Sequence, residues 1–469
     1  MNRSDARSKP VVVDLEMLRR YDKPGPRYTS YPTAPQFSHE FDGKAFRQEI
    51  ERTNSVENPA DLSLYFHLPF CDTLCYFCGC TMIITRNRDR IEEYIDYLVK
   101  EIRLVGSMMK PGRKVCQLHW GGGTPTYLDP DQIRRTFAAI REQFEFYGDA
   151  EISVEIDPRG LTDEHLDALA EVGFNRASMG VQDFDLRVQE TINRIQSEEL
   201  TRWAFDGLRE REFESINLDL IYGLPYQTVS SFARTLDRII DISPDRLAVF
   251  NYAHVPWMKK HQRVIEEETL PKPEDKLGIL KHTIETLTAG NYVYIGMDHF
   301  ARPDDSLVKA LRAKKLYRNF QGYSTRAGCD LYAMGMSSIS QLQDVYAQNV
   351  KEIPSYYAAI ADGELATERG YRLDRDDHLR RYVIMHLMCD FELDKQEVEK
   401  RFGLTFDRYF ATELEQLESM VRDGLVDIAN GRIRVTEMGH LLIRNIAMTF
   451  DGHLRQMKSE SAPRFSKTV

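Results

Sequence analysis

Residues 65–80 read YFHLPFCDTLCYFCGC and hold four of the chain's seven cysteines. Three residues separate Cys71 from Cys75, two separate Cys75 from Cys78, and one separates Cys78 from Cys80. A loop this short can direct three thiolates towards one point, which suits a soft metal centre such as an iron-sulfur cluster. Three ligands leave one iron of a four-iron cluster open, and a catalytic site needs an open metal position.

The run LSLYFHLPF (62–70) is apolar and aromatic, so the cysteine loop is predicted to leave the end of a buried strand. Between 61 and about 300 the chain repeats an apolar run, a turn and an amphipathic helical stretch. This alternation predicts parallel strands with right-handed crossovers, and therefore a barrel or a doubly wound sheet. The runs lie at 62–70, 115–123, 151–158, 176–182, 215–223, 246–255 and 292–300.

Two other interpretations of the cysteines are a structural zinc site and a disulfide. Zinc would need a second pair of Cys or His, whereas Cys116, Cys329 and Cys389 are single, scattered and predicted to be core residues. The first 20 residues contain no apolar stretch able to act as a secretory signal, which favours a reducing cytosol. A cytoplasmic location is therefore expected.

The composition excludes several classes of function. Apolar residues make up 42% of the 469 residues and charged residues 29%, as in globular proteins. The net charge of -11 gives no global attraction to nucleic acid or to an anionic membrane, and no apolar run is long enough to span a bilayer. The length predicts a barrel-sized unit with a smaller one.

The two ends of the chain differ from the repeating part. Residues 1–60 are predicted to form an arm, because 21–38 holds four prolines and a glycine, and its aromatic residues favour packing onto the body. The unit 61–370 contains the barrel and a glycine-rich extension with a helix near Tyr356. Helices and an Asn-Gly hairpin at 430–431 predict a winged-helix-like cap over 371–455, and 456–469 is predicted to be a disordered tail. The cap has no basic recognition helix, so a structural role is favoured over DNA binding.

Polar and glycine residues at the predicted strand ends indicate a binding site. Gly121, Gly122 and Gly123 would let a ligand lie against bare backbone, although a tight turn would also explain them. Carboxylates and amides at strand ends can bind cofactor amino and hydroxyl groups. The residues predicted at such ends are Glu155, Asp157, Gln182 and Asp219, with Arg194 in the helical stretch after the fourth strand.

A CxxxCxxC loop after a first strand resembles the signature of radical S-adenosylmethionine enzymes. The longer string YFHLPFC with its CGC ending resembles the oxygen-independent coproporphyrinogen III oxidase family, also called coproporphyrinogen dehydrogenase. The resemblance implies an α/β fold, a partial (β/α)6 TIM-like barrel with an N-terminal arm and an α-rich winged-helix-like C-terminal domain. It also places the arm near the active-site mouth, with Arg27 as a partner for an anionic substrate.

The resemblance further implies one 4Fe-4S cluster and two S-adenosylmethionine molecules. The cluster ligands are Cys71, Cys75 and Cys78. The first S-adenosylmethionine is expected against Tyr65, Gly122, Glu155 and Ile339. The second is expected against Phe77, Gly123, Thr124, Gln182, Arg194, Asp219 and Ala253. Cys80 is either a small buried residue or a thiol close to the substrate; His67 is expected to face the barrel, and His254 and His299 to be structural.

The implied reaction is radical decarboxylation of two propionates of coproporphyrinogen III to vinyl groups, which gives protoporphyrinogen IX in haem biosynthesis. A 5′-deoxyadenosyl radical would remove a hydrogen from the carbon β to the carboxylate. A one-electron donor such as flavodoxin is expected from the superfamily, and the chain is expected to be a monomer. The alternatives are a haem-binding chaperone and a haem-degrading radical methyltransferase on the same scaffold.

Overall fold

The computed structural model describes residues 13–456 and 467–468. The strands, in chain order, are β1 Leu62–Leu68, β2 Phe70–Cys71, β3 Ile83–Ile84, β4 Lys114–Gly122, β5 Glu145–Ile156, β6 Arg176–Gln182, β7 Ser215–Tyr222, β8 Arg246–Asn251, β9 Val293–Gly296, β10 His299–Ala301, β11 Tyr317–Asn319, β12 Gly322–Ser324, β13 Asp330–Met334, β14 Ile339–Gln341, β15 Val345–Asn349, β16 Thr367–Arg372, β17 Glu392–Asp394, β18 Val426–Ala429 and β19 Arg432–Val435.

The helices, in the same order, are α1 Leu15–Tyr21, α2 Gly43–Ser55, α3 Arg88–Ser107, α4 Pro130–Gln143, α5 Asp163–Val172, α6 Leu186–Thr191, α7 Glu198–Glu210, α8 Val229–Ile242, α9 Pro273–Ala289, α10 Ser306–Arg312, α11 Ile353–Ala361, α12 Arg375–Asp390, α13 Lys395–Phe402, α14 Phe406–Tyr409, α15 Ala411–Arg422, α16 Glu437–Leu441, α17 Ile443–Thr449 and α18 Gly452–Gln456. Among these described helices, none is long and apolar enough to cross a membrane.

Six parallel strands, β1, β4, β5, β6, β7 and β8, stand side by side in chain order within a twelve-stranded sheet. Helices α3, α4, α5, α6 with α7, and α8 connect them, so the predicted β/α repeat and the (β/α)6 type of fold are confirmed. The run at 292–300 differs from the prediction of another parallel strand. It forms an antiparallel hairpin of β9 and β10, because only two residues join these two strands, and β10 also pairs antiparallel with β8.

The glycine-rich extension adds strands at the other edge of the sheet. Strand β13 pairs parallel with β1, and β14, β15 and β16 follow antiparallel. The predicted helix near Tyr356 is α11, and its tyrosine donates a hydrogen bond of 2.7 Å to the buried carboxylate of Glu101 on α3. Glu101 also accepts from the Gly335 N–H at 2.6 Å and from the amide of Asn349 at 2.8 Å, which ties the extension to the barrel.

The N-terminal arm is buried against the body, as its aromatic residues predict. Tyr28 and Tyr31 are each only 1% exposed. The Tyr28 hydroxyl donates to the Asp451 carboxylate at 2.9 Å, and the Tyr346 hydroxyl donates to the carbonyl oxygen of Tyr31 at 3.1 Å. The arm therefore joins the extension to the C-terminal cap.

The cap contains the predicted helices as α12, α13 and α15, and the predicted hairpin as β18 and β19. Asn430 and Gly431 have φ values of 52° and 72° at the turn, which is the conformation that an Asn-Gly hairpin favours. Strand β17 completes a three-stranded sheet of winged-helix type. Most of the predicted disordered tail lies outside the described residues, but the Thr468 N–H donates to the Lys23 carbonyl of the arm at 2.9 Å.

The ion pair between Arg113 and Asp330 supports the strands at the base of the barrel. Its nitrogen and oxygen lie 2.7 Å apart, and both side chains are 1% exposed. Because Asp330→Ala leaves a buried guanidinium without its carboxylate, we expect the free energy of unfolding to fall by about 3–5 kcal/mol. Glu142→Ala, which removes an exposed partner of Arg103, should cost about 0–1 kcal/mol. Urea denaturation measures both, and equal losses would contradict the structural role.

Candidate active site

The backbone of the cysteine loop is held by hydrogen bonds to two later segments. The Tyr76 N–H donates to the Ile192 carbonyl at 3.0 Å, and the Asn193 amide donates to the Leu74 carbonyl at 2.8 Å. On the other side, Gln262 donates to the Phe77 carbonyl at 3.0 Å. Loops that follow β6 and β8 therefore fix the conformation of a loop that follows β1.

Two arginines lie against the Cys75 sulfur. Nη2 of Arg159 is 3.4 Å and Nη1 of Arg194 is 3.8 Å from Sγ of Cys75. The Asp157 carboxylate accepts from both arginines, at 2.7 Å and 2.8 Å. Burial alone would raise the pKa of Asp157, but Arg194 and Arg159 lower it to about 2. Asp157 therefore stays ionised and orients positive charge towards the sulfur.

The other thiols of the loop lie in different surroundings. Sγ of Cys71 is 3.3 Å from the Thr124 hydroxyl, and burial raises the pKa of this thiol to about 12. A hydrogen bond between Cys78 and Cys80 lowers the pKa of Cys78 to about 7 and raises that of Cys80. Cys80 is exposed and shares a cavity of about 220 Å³ with the other three cysteines, so it is not the buried residue that one interpretation expected.

The donor set fits an iron-sulfur cluster better than a single metal ion. Among the described residues, no group of three or more Cys, His, Asp or Glu side chains is arranged to hold one ion. A four-iron cluster needs its cysteine sulfurs further apart than the ligands of one ion, and it needs only thiolates. Cys71, Cys75 and Cys78 supply three thiolates around one cavity. The guanidinium groups of Arg159 and Arg194 lie against the Cys75 sulfur.

Gly122 lets β4 end directly beside the cysteine loop. Its φ of 121° lies in the region that favours glycine, and an added Cβ would lie 2.7 Å from the His67 ring. The Gly122 N–H donates to the Glu155 carboxylate at 3.1 Å. Gly122 is therefore required by close contacts within the protein itself.

Glu155 stands where the cavities of the site meet. Its carboxylate is 3.3 Å from Nε2 of His119, whose ring stacks on Tyr65 at 5.9 Å. Burial raises the pKa of Glu155, but His119 and the Gly122 N–H lower it below its usual value. Glu155 lines the cysteine cavity, a central cavity of about 190 Å³ inside the barrel and a side cavity of about 310 Å³ next to β14.

Asp219 lies within β7 and not at its end, because the strand continues to Tyr222. Its carboxylate accepts from the Asn217 amide at 2.8 Å and from the Ser178 hydroxyl at 3.0 Å. Burial raises the pKa of Asp219 to about 6. It lines both the cysteine cavity and the central cavity.

The structure brings most of the predicted residues together. The cysteine cavity is lined by Phe77, Gly122, Gly123, Thr124, Glu155, Gln182, Arg194 and Asp219. The side cavity is lined by Tyr65, His67, Glu155 and Ile339. Arg194 lies in the loop between α6 and α7, outside the predicted helix. Ala253 does not line these cavities but accepts a hydrogen bond of 3.3 Å from Gln262, which also binds the cysteine loop.

The sequence motifs did not predict several residues of the site. His119, Ser178, Asn217 and Arg159 line or border the cavities, and polar residues at alternate positions of β4 to β7 would have indicated them. The prediction of a satisfied structural histidine is wrong for His299, because it lines the central cavity and its Nδ1 has no partner.

The remaining cysteines are less scattered than the sequence predicted. Sγ of Cys116 and Sγ of Cys329 lie 2.8 Å apart at the base of the barrel, although the two residues are 213 positions apart in the chain. Cys116 and Cys389 are buried as predicted, whereas Cys329 is partly exposed.

Comparison with known proteins identifies the family. Residues 65–239 match the model of the Radical SAM superfamily, and 373–442 match the HemN C-terminal domain. The chain is 51% identical over 443 residues to "Oxygen-independent coproporphyrinogen III oxidase" of Escherichia coli (strain K12), which covers 94% of this chain and 96% of the relative. The protein of that name from Synechocystis sp. is 45% identical over 463 residues and covers 98% of each chain.

This chain belongs to the oxygen-independent coproporphyrinogen III oxidase family. The solved structure described as "Coproporphyrinogen III oxidase (HemN) from Escherichia coli is a Radical SAM enzyme" superposes with a TM-score of 0.90 at 49% identity, covering 95% of this chain and 100% of that one. As a member of this radical S-adenosylmethionine family, the chain has a 4Fe-4S cluster and S-adenosylmethionine as its cofactors. These relatives support the oxidase and give no support to the chaperone or the methyltransferase.

The raised pKa of Asp219 predicts a pH dependence of stability. A carboxyl whose pKa rises from 3.8 to about 6 on folding stabilises the fold when protonated, and this stability is lost as the pH rises through about 6. The total loss is about 3 kcal/mol at about 1.4 kcal/mol per pKa unit. The urea midpoint of the wild type should therefore fall between pH 4 and pH 7.5. Part of this fall should be missing in Asp219→Asn. If the urea midpoint of Asp219→Asn depended on pH as that of the wild type does, this would contradict the raised pKa of Asp219.

Proposed function

We propose that this chain catalyses the oxygen-independent decarboxylation of two propionates of coproporphyrinogen III, giving protoporphyrinogen IX in haem biosynthesis. The observation that carries this proposal is the cysteine loop, which opens into one cavity with Glu155, in a chain that resembles the named oxidases over nearly its whole length. The substrate is the one those relatives' names imply.

We assign the cluster to Cys71, Cys75 and Cys78. Two S-adenosylmethionine molecules are proposed, one against Tyr65, Gly122, Glu155 and Ile339 and the other against Phe77, Gly123, Thr124, Gln182, Arg194, Asp219 and Ala253. When bound between these residues, the cluster and S-adenosylmethionine would supply the radical chemistry needed to take a hydrogen from the carbon β to the carboxylate. Glu155 is ionised and can accept hydrogen bonds from an amino group of the cofactor.

The charged residues around Cys75 have a positioning role in this proposal. Asp157 holds Arg194 and Arg159 in place, and their positive charge favours an anionic cluster beside the sulfur. The Cys80 thiol keeps its proton because its hydrogen bond with Cys78 raises its pKa. Cys80 is therefore proposed as a thiol close to the substrate, lining the cavity outside the set of cluster ligands.

The three parts of the chain would exclude water and oxygen together. We assign 1–60 to the arm, 61–370 to the barrel and its extension, and 371–455 to the cap. Supporting this, the buried arm tyrosines hydrogen-bond both to the cap and to the extension. A closed site protects a radical from side reactions.

We further propose a monomer in the cytoplasm that receives electrons from a one-electron donor such as flavodoxin, with no nucleic-acid or membrane partner. Free cysteines are typical of a reducing compartment, and the seven cysteines are all free. Sedimentation of the reconstituted protein tests the oligomeric state.

Cys75→Ala tests the proposed function. In anaerobic reactions with reconstituted protein, dithionite, S-adenosylmethionine and coproporphyrinogen III, the wild type should form 5′-deoxyadenosine, methionine and protoporphyrinogen. Cys75→Ala should form none of them, because the cluster loses a ligand. Cys329→Ala, which changes a cysteine away from the cavity, should keep all three products.

Chromatography with mass detection measures the products. Vinyl product from Cys75→Ala, or its absence from the wild type while 5′-deoxyadenosine is formed, would overturn the proposal. If the wild type formed 5′-deoxyadenosine without vinyl product, it would still carry out radical chemistry, but on another substrate.

A further inference from the structure

The thiols of Cys116 and Cys329 form a contact that the proposed reaction does not use. Cys116 lies near the start of β4, and Cys329 directly precedes β13. Strand β1 stands between β4 and β13 in the sheet, and the two sulfur atoms meet at 2.8 Å beside its first residue, Leu62. Along β4, the pair is about 20 Å from Gly122 and the cysteine loop, at about 3.3 Å per strand residue.

The two thiols differ in their access to solvent. Cys116 is 3% exposed, whereas Cys329 is partly exposed and follows the exposed Ala327 and Gly328. Cys329 also lines a cavity of about 280 Å³ between β14 of the extension and α12 of the cap. This volume is many times what one water molecule needs, so a molecule as small as hydrogen peroxide can reach the Cys329 sulfur.

The position of the shared proton favours Cys329 as the reactive sulfur. Cys116 has one proton, and both the Cys329 sulfur at 2.8 Å and the Leu62 carbonyl at 3.4 Å can accept it. The hydrogen bond between the sulfurs lowers the pKa of Cys329 and raises that of Cys116. Burial opposes the lowering at Cys329, and the guanidinium of Arg326 supports it. Because the thiolate is the form that attacks oxidants, the accessible sulfur is also the more reactive one.

Other roles explain the pair less well. Among the residues that the structure describes, no group of three or more Cys, His, Asp or Glu side chains is placed to hold a metal ion. A contact that only fills the core would place both sulfurs in apolar surroundings, but the charges of Arg326 and Asp330 act on Cys329. An accessible, ionisable cysteine beside a buried second cysteine is the arrangement of redox-sensing pairs.

We propose that Cys116 and Cys329 are a peroxide-oxidisable dithiol in which Cys329 reacts first and Cys116 completes a disulfide. The Cys329 thiolate attacks one oxygen of hydrogen peroxide, the O–O bond breaks, and hydroxide leaves as Cys329 becomes a sulfenic acid. The Cys116 sulfur then attacks the Cys329 sulfur, and the sulfenic hydroxyl leaves with the Cys116 proton as water. In total, two thiols lose two electrons to one peroxide, which gives one disulfide and two waters.

The disulfide braces the base of the barrel and does not involve the cluster ligands. It joins β4 to the segment before β13, and these are the parts that the ion pair of Arg113 with Asp330 already connects at 2.7 Å. Cys116 and Cys329 are 213 positions apart, and a crosslink that closes a long loop restricts the unfolded chain most. A small dithiol reverses the oxidation by thiol–disulfide exchange.

Peptide mapping of the full chain with its cluster tests the proposal. Reconstituted protein is treated anaerobically with increasing amounts of hydrogen peroxide, alkylated with N-ethylmaleimide and digested with trypsin. Trypsin releases Cys116 in the peptide 115–134 and Cys329 in the peptide 327–351, each with a single cysteine. Mass spectrometry should find these peptides joined, with a mass two hydrogen atoms below their sum, and dithiothreitol should separate them.

Three variants distinguish the roles of the cysteines. In Cys116→Ser, Cys329 has no partner and should accumulate as sulfinic or sulfonic acid. In Cys329→Ser, Cys116 should stay unmodified, because peroxide does not reach the buried thiol. Cys389→Ser is the matched control, since Cys389 is buried and lines the same cavity, and it should give the joined peptides like the wild type.

Urea denaturation provides a second measurement. Oxidation should raise the urea midpoint of the wild type and should not raise that of Cys329→Ser. The proposal would be overturned if peroxide oxidised Cys80 while the peptides 115–134 and 327–351 remained separate and alkylated. Joined peptides in equal yield from protein oxidised in urea would also overturn it, because the fold would then not create the pair. Neither outcome depends on whether the chain forms vinyl product.

Discussion

The register of the parallel strands fixes where the strand residues of the site lie. Gly122 pairs with Leu68 at the cysteine loop, Glu155 pairs with Ser178, and Asp219 pairs with Gly180. Side chains alternate between the two faces of a strand, so a slip of one residue would turn Glu155 and Asp219 towards the surrounding helices. The outward positions between them are apolar and buried, and this packing against the helices holds the register.

The inside of the barrel consequently carries polar residues that an apolar core would not contain. Acidic groups concentrate near the cysteine loop, where Asp157 pairs with arginines and Glu155 lies within hydrogen-bond distance of His119. At the end of β8, Arg27 of the arm forms an ion pair with Asp298.

Local signals in the sequence predicted the fold and the centre of the site. Cysteine spacing, strand-helix alternation and the Asn430-Gly431 turn are properties of neighbouring residues, and the structure has each of these elements. Features that depend on tertiary contacts were missed: the antiparallel β10, the contact of His119 with Glu155, and the approach of Cys116 to Cys329.

The most direct test of the proposed chemistry follows the hydrogen atom that leaves the substrate. Coproporphyrinogen III deuterated at the propionate carbon β to the carboxylate would be converted by reconstituted protein under anaerobic conditions, and mass spectrometry would locate the label. The proposed reaction predicts deuterium in 5′-deoxyadenosine, in step with vinyl formation. Vinyl product with unlabelled 5′-deoxyadenosine would contradict hydrogen abstraction in the cavity around Glu155.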